Sequence, residues 1–153
     1  MSVEVVNSSP VLVDEEAIRR WAEALLQRRN AAGDVTVALV GLDEMAGLNL
    51  RYRGVEGPTD VLSFVDEEAN EEWIDFPEGE DAAYLGDVVI SPEVARSHAL
   101  EEGGTLSSEL KVLVVHGVLH LLGLDHERDQ GEMLEAQDEL VRKLDAELPQ
   151  DLV

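Results

Sequence analysis

The chain has 153 residues, 44% of them hydrophobic, enough for one domain with a buried core and too many for wholesale disorder. Its 11 Lys+Arg against 34 Asp+Glu leave a formal charge of −23, which argues against a generic polyanion binder and against docking on an anionic membrane. With no cysteine, disulfides, thiolate metal sites and cysteine nucleophiles are excluded. No basic stretch followed by an apolar run opens the chain. The longest apolar tract, 112–124, contains two histidines and is shorter than the ~20 residues that span a bilayer. The expectation is a soluble protein of the cytoplasm.

Val3, Val5 and Val6 open a short β-like segment. Asp14 then caps a helix with Glu15 and Glu16 in its first turn and Arg28 and Arg29 at its end, a charge order that complements the helix dipole. Ile18, Trp21, Ala22 and Leu25 recur at helical spacing and form its buried stripe. Gly33 and Asp34 break the chain before a β-branched run at 35–40 that reads as a strand, and a short helix is expected over 43–52. Gly54, Gly57 and Pro58 mark a loop into a strand at 61–65.

Positions 66–81 hold nine acidic residues in sixteen and no Lys or Arg, so 66–83 is expected to be an acidic loop inserted between strands. A strand at 84–90 leads to Ser91 and Pro92, a cap and a first-turn proline that announce a helix to about 102. Gly103 and Gly104 separate it from a helix at 107–122, which Gly123 can end. A final helix, 129–147, carries Met133, Leu140 and Leu144 on one side and reads as packing. Without repeats or a dividing linker, the expectation is a single α+β domain over 1–153, with one small mixed sheet packed against helices.

Three of the four histidines fall within eleven residues, in the run HGVLHLLGLDH: His116, His120 and His126. The helical segment holding the first two is otherwise apolar on every side, which marks a buried helix. Burying an imidazole without a partner costs about 1–3 kcal/mol, so something must satisfy both rings. Side chains four apart on a helix can reach one ion, and a turn at Gly123 would bring His126 round as a third ligand. Three imidazoles with a position left for water is a catalytic zinc arrangement. His98, on a separate helix, reads as an ordinary surface or capping histidine. The spacing also matches the metzincin peptidase motif HExxHxxGxxH, except that Gly117 replaces the glutamate that serves as general base there.

The segments VVHGVLHLLGLDHE, LNLRYRG, PTDVLSF and LGDVVIS resemble those of the bacterial YbeY-type rRNA maturation factors, single-strand-specific metallo-endoribonucleases. The resemblance implies a zincin-like α+β fold, with one zinc held by His116, His120 and His126. It also implies hydrolysis of RNA phosphodiesters in 16S rRNA 3′-end maturation and ribosome quality control, with the ribosomal subunit or its associated proteins as partners. By position, Arg53 is that family's essential arginine. The chain departs from the family pattern at Leu124, where an aromatic is usual, and at Val65, where a proline is. It departs again near Gly104 and Ser108, where a histidine and an arginine are common.

A planar guanidinium can grip two nonbridging phosphate oxygens as charge builds on them, which gives Arg53 a physical role beside the resemblance. Asn49, one helical turn earlier, and Arg51 are expected to contact substrate. Two rivals remain at this point: a zinc-dependent peptidase or amidase, and a non-catalytic ribosome-associated factor whose zinc holds the fold. The acidic surface, with only Lys111 and Lys143 as lysines, suits a salt-rich cytoplasm. At ~1 M salt the Debye length is ~3 Å and surface repulsion is largely screened.

Overall fold

A computed structural model describes residues 2–66 and 83–153. In chain order these form β1 (Ser2–Asn7), α1 (Glu15–Arg28), β2 (Asp34–Leu39), α2 (Leu42–Arg53), β3 (Val61–Val65), β4 (Tyr84–Ile90), α3 (Pro92–Glu102), α4 (Leu106–Leu121) and α5 (Glu132–Glu147). The acidic loop expected over 66–83 lies, apart from its two ends, outside the described residues. The sheet order is β1-β2-β4-β3. β1, β2 and β4 run parallel, and β3 pairs antiparallel on the edge, with Ser63 opposite Val88 and Val65 opposite Gly86. This is the small mixed sheet of the expected α+β class.

Alternation along the strands decides what each face buries, because successive side chains point to opposite sides. Val35, Val37 and Leu39 of β2 and Val88 and Ile90 of β4 join the main core, with Ile18, Trp21 and Leu25 of α1, Leu110, Val114 and Val118 of α4, and Met133, Leu140 and Leu144 of α5. Val89 faces the other way, into a smaller cluster with Val40, Met45 of α2 and Leu62 of β3. Helix α2 therefore packs with the second cluster, and α1, α4 and α5 with the first.

The helix starts follow their caps. Asp14 accepts from the Ala17 N–H at 3.0 Å and Ser91 from the Val94 N–H at 3.3 Å, as the sequence implies. Helix α4 begins one residue before the expected start because Thr105 and Ser108 satisfy each other's N–H groups, both at 3.1 Å. Helix α5 begins three residues late. The Asp129 carboxylate accepts from the N–H groups of Gly131 and Met133, both at 2.9 Å, and so shapes a turn ahead of the helix. Trp21 donates its indole N–H to the Lys111 carbonyl at 3.2 Å, locking α1 to α4.

Candidate metal centre and RNA cleft

Helix α4 is the element on which the site is built. The apolar stretch 112–121 buries it between the sheet and the other helices, and its last two turns carry His116 and His120, both half-buried. After the helix, Gly123 adopts φ +98°, a left-handed conformation that side chains rarely take, and its N–H donates to the His120 carbonyl at 3.0 Å. The chain then folds into a tight turn in which Asp125 accepts from the Glu127 N–H at 3.0 Å. That turn delivers His126, which is exposed. One ring nitrogen from each of the three imidazoles lies within 4.8 Å of the others. The ring centroids are 4.7 Å apart for His116 and His120, 5.2 Å for His116 and His126, and 5.3 Å for His120 and His126.

The donor set fits a borderline metal ion such as zinc. His116 Nδ1 stands 2.7 Å from Oε1 of Gln137 on α5; an amide oxygen only accepts, so Nδ1 carries the proton and Nε2 keeps its lone pair for an ion. Burial, reinforced by the neighbouring His116 and His126, pushes the His120 pKa down and favours the neutral ring a metal requires. Gln137, which meets the His116 ring, is a residue that sequence reasoning passed over. Its signal was there: it sits four residues after Met133 and three before Leu140, a polar side chain within the apolar stripe of α5.

The three histidines open into a cleft of about 690 Å³ lined also by Tyr52, Arg53, Phe64, Leu124, Asp125 and Glu127. Arg53, the last residue of α2, is exposed, and no ion pair among the described residues engages it. Its guanidinium is thus available to a ligand in the same cleft as the triad. The edge strand β3 forms one wall and is tied to the metal helix by Ser63, whose hydroxyl donates to the Gly117 carbonyl at 2.9 Å.

The structure places the other two expected contact residues elsewhere. Asn49 is only 2% exposed, and its amide donates to the Gly57 carbonyl at 2.8 Å. It braces the loop that follows Arg53 and is not among the cleft's lining residues. Arg51 also lies outside the lining and instead sits over the Tyr52 ring, 5.8 Å from its centroid. The His98 side chain is 42% exposed, with Nδ1 3.6 Å from Oδ2 of Asp60 and Glu109 of α4 close by, at the far end of the metal helix. Burial, then the nearby Glu102 charge, pushes the Glu109 pKa up from its ordinary value.

The same architecture occurs in a known protein. The solution structure of TM1509 from Thermotoga maritima superposes with a TM-score of 0.64 at 28% identity, covering 95% of this chain and 90% of that one. The endoribonuclease YbeY of Parafrankia sp. is 41% identical over 95% of both chains. That of Salinispora tropica is 42% identical over 86% of this chain and 87% of its own, and that of Roseiflexus sp. 39% over 94% and 92%. The family model described as endoribonuclease YbeY matches residues 4–145, a span that holds the cleft, Arg53 and all three clustered histidines. The chain therefore belongs to the endoribonuclease YbeY family.

Proposed function

We propose that this protein is a zinc-dependent endoribonuclease that hydrolyses single-stranded RNA. Its role would be 16S rRNA 3′-end maturation and ribosome quality control in the cytoplasm, together with the ribosomal subunit or its associated proteins. The observation that supports this most is the convergence of the His116, His120 and His126 ring nitrogens with Arg53 on one cleft. The three histidines would hold the ion, and Gln137 fixes the tautomer of the first. When bound, zinc would supply Lewis-acid polarisation of a phosphoryl oxygen and acidification of a water.

The protein's own residues divide the remaining work. Arg53 binds the nonbridging oxygens on which charge develops. Of the two acids lining the cleft, Asp125 is committed to its turn: Oδ1 accepts from the Glu127 N–H, and Oδ2 lies 3.4 Å from Nε of Arg128. Glu127, exposed at the cleft, is left to accept a proton at a carboxylate oxygen.

The test is a paired assay of His116→Ala and Arg53→Glu on a structured RNA with a single-stranded 3′ tail. Loss of cutting in both variants, with circular dichroism showing retained fold, is the expected result. Unchanged cutting in both would remove the site assignment. Cleavage of casein without cleavage of RNA would replace the reading with a peptidase one.

A further inference from the structure

The cleft has an aromatic wall that the chemistry of phosphate hydrolysis does not use. Tyr52 precedes Arg53 at the end of α2 and is 58% exposed, while Phe64 of β3 is half-buried, and both line the cleft that holds the histidines. Their rings meet edge to face, with centroids 4.9 Å apart and an interplanar angle of 69°. Phe64 thereby braces Tyr52 against the sheet, and the Arg51 guanidinium sits over the Tyr52 ring. An exposed aromatic held in place by a second ring loses little freedom on binding a flat partner.

Charge sharpens the argument. A chain of net charge −23 is poorly suited to holding RNA by broad contacts to phosphates, so contacts that do not depend on charge gain weight beside the local grip of Arg53. Base stacking is such a contact, and every base offers a π-face to it. A base inside a duplex has both faces covered by its neighbours and is unavailable.

Resting on the endoribonuclease reading above, we propose that Tyr52, braced by Phe64 and flanked by Arg51, is the stacking platform for the base of a nucleotide beside the phosphate gripped by Arg53. The platform gives single-strand selectivity a physical source: only an unstacked base can occupy it. Tyr52 is then a substrate-positioning residue whose loss weakens binding before it slows chemistry.

The experiment is a cycle between protein and substrate. A single-stranded RNA is prepared with one abasic nucleotide stepped through the positions around the cut, and kcat and KM are measured for wild type, Tyr52→Ala, Tyr52→Phe and Tyr52→Trp. Wild type should show one position at which base removal raises KM by about 5- to 150-fold, the range expected for one lost base stack. Tyr52→Ala should raise KM on intact RNA by a similar factor and abolish the sensitivity at that position, while the Phe and Trp variants keep it. Equal positional sensitivity in wild type and Tyr52→Ala overturns the platform and leaves the nuclease reading standing. Failure of the wild-type protein to cut any RNA overturns the nuclease reading and the platform with it.

Discussion

Gly117 of α4 lies so close to Val88 of β4 that a Cβ built on the glycine would stand 2.4 Å from Val88 Cγ1. The metal helix thus rests on the sheet through bare backbone at the position between its two histidines. This gives a packing reason for glycine where the metzincins carry their glutamate: a side chain at position 117 would press into Val88 and force the helix or the strand to shift. Overpacking of this kind costs about 1–3 kcal/mol, and Gly117→Ala should lower stability by that amount in urea denaturation. Adding Val88→Ala should recover part of the loss. A Gly117→Ala protein as stable as wild type would show that the close packing is absent.

Gln137 should matter to metal retention and little to folding. Removing a partner that orients a ligating histidine typically weakens metal affinity by about 10- to 100-fold. Competition against a chelator should show such a loss in Gln137→Ala, with Gln137→Glu, which keeps an acceptor, close to wild type. Equal zinc affinity in all three would mean that His116 is oriented by something else.

Much of the fold and the centre of the site could be read from residue patterns, for reasons particular to those residues. Trp21 with its neighbours announced a buried face because local periodicity and burial agree there, and the β-branched run at 35–40 announced β2. The histidine triad was legible because its members sit on one helix and one tight turn, within eleven residues. What escaped were contacts between distant elements. The Gln137 bond to His116 spans 21 residues, and the burial of Asn49 depends on a loop, at Gly57, whose course helical spacing does not reveal. Spacing alone put Asn49 and Arg53 on one face, but Arg53 ends the helix and opens to the cleft while Asn49 turns inward.

Salt should act on this enzyme in the reverse of the usual direction. Where phosphate contacts dominate, affinity for nucleic acid falls steeply as counterions compete. Here the surface repels RNA, and screening at ~1 M salt removes most of that repulsion. RNA cleavage at fixed metal should persist or rise from low to molar KCl. A steep fall over that range would contradict the stacking-based account of affinity.

Tyr84 should shape the alkaline limb of stability. Its hydroxyl donates to Asp87 and lies 2.7 Å from Thr36 Oγ1, and burial, with the Asp87 bond adding to it, pushes its pKa up to about 12. The unfolded chain releases this proton near pH 10. Between about pH 10 and 12 the folded state therefore binds more protons than the unfolded, so stability falls as pH rises through that window. Denaturation midpoints measured across it should decline less steeply in Tyr84→Phe than in wild type. Identical slopes would show that Tyr84 titrates normally.

The histidine triad as the metal centre of an RNA-cutting enzyme is tested most directly by restoring zinc to protein stripped of metal while cleavage of a single-stranded RNA is followed. Cleavage should be absent at the start, rise in proportion to added zinc and level off at about one ion per chain. Stripped protein that cuts RNA at the full rate, or protein that stays inactive at every zinc concentration while remaining folded, would contradict the assignment.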